Sequence, residues 1–85
     1  MMYKSATIMP WYKFTPPGMG TPDVGDSSQY TLVGSNPPTC IGNQKLCAIQ
    51  AMDNMTQPIL TFALVCEIAN ALNLRTNSTN VLLCN

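Results

Sequence analysis

The hydrophobic residues of this 85-residue chain fall into short groups separated by polar and turn-forming residues. Only the segment 60–74 has the period of a helix. Its apolar side chains share one side: Leu64, Val65, Ile68, Ala69 and Leu72. Its other side carries Cys66, Glu67, Asn70 and Asn73. Thr61 can cap the first turn, because its hydroxyl accepts a hydrogen bond from an unpaired amide. The pattern predicts one amphipathic helix over residues 60–74.

Four short segments predict strands: PWYKFT (10–15), which is rich in aromatic and β-branched residues, and residues 30–33, 45–51 and 81–84. Prolines lie at both ends of the first of them, which predicts an edge strand because proline cannot donate to a ladder. The second and third strands, joined through residues 37–44, are predicted to form a hairpin with a long loop. Residues 52–58 are expected to be a break.

Composition divides the chain into two parts. Residues 15–28 carry three prolines, three glycines and two aspartates, which interrupt both helix and strand patterns. We therefore expect an irregular N-terminal arm at 1–29 and a small domain at 30–85. The predicted fold class is α+β: a small, mostly antiparallel sheet of three to four short strands, packed by one helix. Residues 1–8 are a candidate start-site extension, with Met9 as the alternative start.

Charge is the unusual feature of the composition. Only 9% of the residues are charged and the formal net charge is zero, against roughly 25% charged residues in a typical soluble domain. A net charge near zero favours association. The lack of a basic stripe argues against a nucleic-acid partner. No apolar run approaches the ~20 residues of a membrane-spanning helix, and residues 1–9 lack the apolar stretch of a signal peptide.

The four cysteines lie at positions 40, 47, 66 and 84, with 6, 18 and 17 residues between them. Zinc sites usually bring ligands in closer pairs, often with histidine, and the chain has no histidine. A Cys₄ zinc site is thus the less favoured alternative, and no metal is predicted. Cys40 and Cys47 are predicted to form an intrachain disulfide, worth about 2–3 kcal/mol. The alternative is two reduced thiols in a cytosolic protein.

The other two cysteines allow several roles. Cys66 lies on the polar side of the predicted helix, and Cys84 is the penultimate residue. They are candidates for a disulfide with each other or between subunits. The alternative for Cys66 is a position at the border of the buried face with no chemical role.

Patterns that carry catalysis are missing from the sequence. Nucleophilic serine or cysteine chemistry usually needs a histidine base, and neither glycine-rich phosphate-binding motif occurs. We therefore predict a non-enzymatic protein without a cofactor. Trp11, Tyr12 and Phe14 lie close together and suit a ligand platform, a core, or a strand inserted beside the sheet of another copy. They are the candidate residues for self-association.

Several motifs follow one another along the chain: WYKFTP (11–16), YTLVGS with PP and C (30–40), LCAIQA with DN (46–54), QPI (57–59) and EI with ALN (67–73). Through them the chain resembles, over residues 9–85, a group of short bacterial proteins found mainly in Bacteroidota. The resemblance implies a bacterial, non-enzymatic protein in which Cys40 and Cys47 are the shared pair. It excludes residues 1–8 and does not extend to Cys66 and Cys84.

These observations favour a self-associating structural protein whose partner is itself. Such a protein would be the subunit of an extracellular filament or homopolymer, held by strand or arm exchange and by disulfides. The alternative is a small monomeric binding or effector module stapled by the Cys40–Cys47 disulfide; a precursor peptide is a more distant third hypothesis. We expect an extracellular or cell-surface location, with the cytoplasm as the alternative.

Overall fold

The computed structural model describes residues 9–16, 18 and 20–85, so the predicted start-site extension at 1–8 lies outside it. Four strands form an antiparallel sheet: β1 (Trp11–Phe14), β2 (Tyr30–Gly34), β3 (Lys45–Gln50) and β6 (Val81–Cys84). A short ladder, formed by β4 (Asp53–Asn54) and β5 (Gln57–Pro58), occupies the predicted break, and a 3₁₀ turn spans Ser27–Gln29. With one helix, α1 (Phe62–Leu74), this confirms the predicted α+β class.

The order of the strands in the sheet is β2–β1–β3–β6. Tyr12 of β1 lies opposite Leu32 on one side and opposite Ile49 on the other. The predicted edge position of β1 and the predicted β2–β3 hairpin are therefore both wrong. Pro10 and Pro16 lie outside the strand, so they limit its length without removing a ladder hydrogen bond. Residues 11–14, part of the segment predicted as an irregular N-terminal arm, form this interior strand.

The main core lies between α1 and one face of the sheet. Fully buried side chains of the sheet meet the helix there: Tyr12, Ile49, Val81 and Leu83. The helix contributes Leu64, Ile68 and Ala71, a spacing that keeps one narrow stripe buried. Ala69, which was predicted on this side, is exposed instead. The predicted cap is confirmed, because the Leu64 N–H donates to Oγ1 of Thr61 at 3.1 Å.

A bulge in β3 builds a second, smaller core on the other face. Leu46 pairs with Leu83 and Ala48 pairs with Leu82, which leaves Cys47 as the extra residue. Cys47 and Ala48 are both buried with Trp11 in a cluster separate from the main core. Strict alternation would have turned one of these neighbours towards the helix. The bulge therefore brings the cysteine and the alanine to the same side.

Candidate functional site

The sulfur atoms of Cys40 and Cys47 are bonded at 2.03 Å, with their Cα atoms 6.2 Å apart. This is the pairing predicted from their spacing. The bond ties the connection between β2 and β3, residues 35–44, to the face of the sheet that α1 does not cover. We call this connection the clasp. Cys40 packs against the buried cluster of Trp11, Cys47 and Ala48, so the clasp helps to shield Trp11.

The end of the clasp is also attached to the C-terminus. The Gln44 N–H donates to the Cys84 carbonyl at 2.8 Å, and the Asn85 N–H donates to the Ile41 carbonyl at 3.0 Å. Gly42 between them has a φ of +120°, and a Cβ atom at this position would collide with the backbone nitrogen of Asn85. Only glycine suits both the backbone angle and the close approach.

The two remaining cysteines are free thiols in different surroundings. Cys84 is half-buried and packs against the same cluster as Cys47. Cys66 is exposed on α1, the helix that covers the opposite face of the sheet. The structure thus brings Cys84 towards the disulfide and does not bring Cys66 to Cys84. Disulfides from either residue to another subunit stay a prediction.

The three candidate association residues lie within their own sheet. Trp11 is buried in the small core, Tyr12 is fully buried in the main core, and the Phe14 ring lies 5.1 Å from the Tyr30 ring. The Tyr12 hydroxyl donates to Oδ1 of Asp53. Burial raises the pKa of Tyr12, and the adjacent Asp53 carboxylate raises it further. Association through these three residues would require β1 to leave the sheet.

One edge of the sheet is closed. Along β6, Ser78 and Val81 exchange backbone hydrogen bonds of 3.0 and 3.4 Å, and the Leu83 N–H donates to Oδ1 of Asn77 at 2.9 Å. The turn at 76–80 therefore satisfies outward groups that a second chain would need for pairing.

Glu67 of α1 holds this turn in place. Its carboxylate accepts from Oγ of Ser78 at 2.5 Å, from the Asn80 N–H at 2.8 Å and from Nδ2 of Asn80 at 3.1 Å. Burial acts to raise the pKa of Glu67, but these hydrogen bonds outweigh it and hold the pKa below its usual value. The closed edge thus depends on an ionised side chain.

The other edge, β2, is open at Leu32, whereas the outward N–H of Tyr30 is already bonded to the Ser27 carbonyl. The Thr15 N–H donates to the Gln29 carbonyl at 2.7 Å, and the alternation of an antiparallel ladder then turns the main-chain groups of Leu32 outward. Within the described residues, no other segment makes a backbone hydrogen bond to the outer side of Leu32. Leu32 and Val33 are 40% and 44% exposed. Proline and charged residues, which commonly protect edges, do not occur in the strand sequence YTLVG.

A separate apolar groove lies between Phe14, Pro16, Pro22 and Val24 on one side and the end of the sheet and the helix on the other. Its volume is about 590 Å³. Its apolar lining includes Phe14, Pro16, Pro22, Val24, Leu46 and Leu72. This volume falls within the usual range for small-molecule pockets, roughly 300–1,000 Å³.

Neither the described residues nor comparisons with known proteins indicate a metal site, a membrane-spanning helix or a related protein. In the described part of the chain, no group of three or more His, Cys, Asp or Glu side chains could hold a metal ion. Among the same residues, no helix has the length and apolar character needed to cross a bilayer. No protein-family model, curated protein or solved structure matches the chain. The resemblance to the Bacteroidota group, and what it implies, stays a prediction.

Sequence reasoning missed the contrast between the two edges. The open one had a readable signal, since residues 30–34 contain neither charge nor proline. The closed edge had no such signal, because the helical pattern places Glu67 only on the polar side of the helix and the sequence predicts no partner for Asn77. Their roles follow from contacts with residues up to 13 positions away.

Proposed function

We propose that this chain is a non-enzymatic, self-associating structural protein whose copies join edge to edge through β2. The observation that supports this most directly is the difference between the two edges of the sheet. At Leu32 the outer side of β2 is available for pairing, whereas the 76–80 turn covers β6. An available edge strand takes up another strand through main-chain hydrogen bonds.

A second copy is the occupant that suits this edge. Two antiparallel β2 strands centred on Leu32 would place Thr31 opposite Val33 of the other copy and Leu32 opposite itself. Such a two-fold contact is self-complementary. This contact places no like charges opposite each other, because residues 30–34 are uncharged. The near-zero net charge of the whole chain also leaves little long-range repulsion between copies.

Edge pairing also costs less than strand exchange. Exchange of β1 between copies would withdraw Tyr12, which is fully buried, from the core of each copy during the process. Pairing through β2 leaves both cores intact. We therefore place the first contact at β2 and keep β1 exchange as the competing route to a homopolymer.

A filament needs a second contact between copies. A two-fold contact through β2 occupies the open edge of both copies and therefore stops at a pair. Met55 and Phe62 are 89% and 85% exposed and are candidates for it. An extracellular or cell-surface location belongs to the same proposal. The Cys40–Cys47 bond supports it, since disulfides persist mainly in oxidising compartments.

Sedimentation velocity over a concentration series tests the β2 contact. We expect the wild type to shift from the 9.2 kDa chain to twice that mass. Leu32→Lys should weaken the pair at least about tenfold, because two ammonium groups would then face each other across the contact. Leu74→Lys is the matched control: Leu74 is exposed at the far end of α1, and the change in charge is identical.

Either of two results would contradict the proposal. A wild type that stays at 9.2 kDa at every concentration has no self-association to explain. A pair weakened equally by Leu32→Lys and by Leu74→Lys would show a general charge effect instead of a contact at β2. Negative-stain microscopy with and without reductant then distinguishes closed pairs from fibres held by disulfides.

The second candidate is the monomeric binding module. It is favoured by the apolar groove of about 590 Å³ lined by Phe14, Val24 and Leu72. Its test is titration with the apolar dye 8-anilinonaphthalene-1-sulfonate. Saturable binding that Leu72→Gln abolishes, in a wild type that stays monomeric, would favour the module over the structural protein.

A further inference from the structure

Three of the four cysteines lie on the face of the sheet that α1 does not cover. Cys40 and Cys47 form the disulfide of the clasp, and both the half-buried Cys84 thiol and Cys40 pack against the cluster that contains Cys47. The Sγ atom of Cys84 is 4.0 Å from the carbonyl oxygen of Leu46, the residue next to Cys47. A free thiol therefore lies beside a bonded pair.

The bulge in β3 is what creates this arrangement. Because Cys47 is the extra residue of the bulge, it faces the same side as Ala48 and as Leu82 and Cys84 of β6. Cys84 pairs with Lys45, two positions before Cys47, and packs against the cluster that contains Cys47. Cys40 is bonded to Cys47 from the clasp. Cys66 takes no part, because it is exposed on the helix.

We propose that Cys84 is the attacking thiol of an exchange reaction within the chain, which moves the disulfide from Cys40–Cys47 to Cys47–Cys84. The Cys84 thiol gives its proton to water, and its thiolate attacks Sγ of Cys47. The Cys47–Cys84 bond forms as the Cys40–Cys47 bond breaks. The electron pair leaves with the Cys40 sulfur, which takes up a proton. One disulfide and one thiol are present before and after, so neither oxidant nor reductant is consumed.

Exchange changes the surface of the protein. After it, β3 and β6 are linked directly, and the clasp retains only its hydrogen bonds near the C-terminus. Cys40 no longer bonds the clasp to the cluster that contains Trp11, and the Cys40 thiol becomes free beside Ile41, which is 75% exposed. The protein thus has two disulfide states. The clasp is bonded to β3 in the first, and in the second it carries the free Cys40 thiol. This reaction does not depend on the proposed contact at β2.

Tryptic peptide mapping distinguishes the two states directly. Cleavage after Lys13, Lys45 and Arg75 places Cys40, Cys47 and Cys84 in separate peptides: 14–45, 46–75 and 76–85. Cys66→Ser is the background, because Cys66 shares a peptide with Cys47. The protein is held at about pH 5 to about pH 8, its free thiols are blocked with N-ethylmaleimide in acid, and it is then digested and analysed by mass spectrometry.

We expect the linked pair 46–75/76–85 to appear alongside 14–45/46–75, with blocked Cys40 in equal amount. Since the thiolate is the attacking species in thiol–disulfide exchange, the rate at which this linked pair appears should be higher at about pH 8 than at about pH 5. The rate should not change on tenfold dilution. Cys84→Ser in the same background should retain only 14–45/46–75. The proposal is wrong if Cys47 is never found bonded to Cys84, or if that bond forms at a rate proportional to protein concentration.

The fluorescence of Trp11, the only tryptophan of the chain, gives a second measurement. Cys40→Ser in the Cys66→Ser background can form only the Cys47–Cys84 bond under mild oxidation, and it therefore reproduces the exchanged state. Its emission should move to longer wavelength relative to Cys84→Ser, since Trp11 loses the cover of the clasp. Failure of oxidised Cys40→Ser to form the bond would place the two sulfur atoms out of reach and overturn the proposal.

Discussion

The backbone N–H of Leu83 donates a 2.9 Å hydrogen bond to Oδ1 of Asn77 on the outer side of β6. Leu83 itself is fully buried, so the Asn77 amide satisfies a main-chain group at the margin of the core. The same side chain helps to prevent a second chain from pairing with β6. One residue therefore satisfies a main-chain group of the core and, under the proposed pairing through β2, would also limit the size of the assembly.

Asn77→Ala should test both effects. We expect a loss of about 1–2 kcal/mol in the free energy of unfolding, because the Leu83 N–H loses its partner in a poorly solvated position. We also expect species larger than a pair, because the outward Leu83 N–H becomes available to a second chain, while the Ser78–Val81 bonds still cover the start of β6. Urea denaturation and sedimentation velocity measure the two. Asn73→Ala, on the exposed side of α1, is the control; equal behaviour of both variants would contradict the prediction.

Glu67 should make the stability of the closed edge depend on pH. Its pKa is held below the usual value, so its contribution is fully present above the unfolded-state pKa and disappears as the pH falls through the folded-state pKa. Glu67→Gln should cost about 1–1.5 kcal/mol at neutral pH, because hydrogen bonds to a charged acceptor are replaced by neutral ones. The difference from the wild type should shrink in acid.

Urea denaturation from about pH 7 to about pH 3 measures this difference. Asp26 also has a lowered pKa, caused mainly by hydrogen bonds from Ser28, and titrates in the same range. Asp26→Asn is therefore the necessary control. A Glu67→Gln difference that stays constant over this pH range would show that the carboxylate charge has no part in holding the turn.

Local pattern predicted where the elements lie, and it could not predict which strands are neighbours. Residues 81–84 form the predicted strand, and Thr61 caps the predicted helix. The sequence WYKF has the same pattern whether it pairs on one side or on both, so β1 was placed at an edge. Its position between β2 and β3 depends on contacts with residues 30–34 and 45–50, which no local window contains.

The candidate sites divide in the same way. The disulfide could be proposed from two cysteines in one loop, because a short separation along the chain implies proximity. The proximity of Cys84 to Cys47 could not be predicted from the sequence, because it depends on both the β3–β6 ladder and the bulge at Cys47. A bulge has no reliable signature in alternation, since it is the place where alternation fails.

Tyr12 and Asp53 should be coupled in stability. The Tyr12 hydroxyl is the polar end of a fully buried ring and donates to the Asp53 carboxylate. Tyr12→Phe keeps the ring and should cost about 1 kcal/mol. Asp53→Ala should cost a similar amount, and the double variant should cost little more than either. A double-mutant cycle by urea denaturation measures the coupling; additive losses would show that the hydrogen bond contributes nothing to stability.

Replacing Gly42 should cost stability for two reasons: a collision with Asn85 and backbone strain at positive φ. A second glycine supplies a matched control that separates the two costs. Gly42 and Gly34 have φ angles of +120° and +133°, but only at Gly42 would a Cβ atom meet another residue, Asn85. Gly34→Ala should therefore cost the strain alone, about 1–3 kcal/mol. Gly42→Ala should cost more and should also displace the C-terminus from the clasp. Gly18→Ala has open space and should change stability by less than about 0.5 kcal/mol.

Thermal and urea denaturation give the three free energies, and hydrogen exchange of the Asn85 amide reports its bond to Ile41. We expect that amide to lose protection in Gly42→Ala and to keep it in Gly34→Ala. Equal losses of stability in these two variants, with Asn85 protected in both, would mean that the clasp does not rest on the C-terminus. The half-buried position of Cys84 beside the clasp would then need another cause, since Cys84 and Asn85 are adjacent.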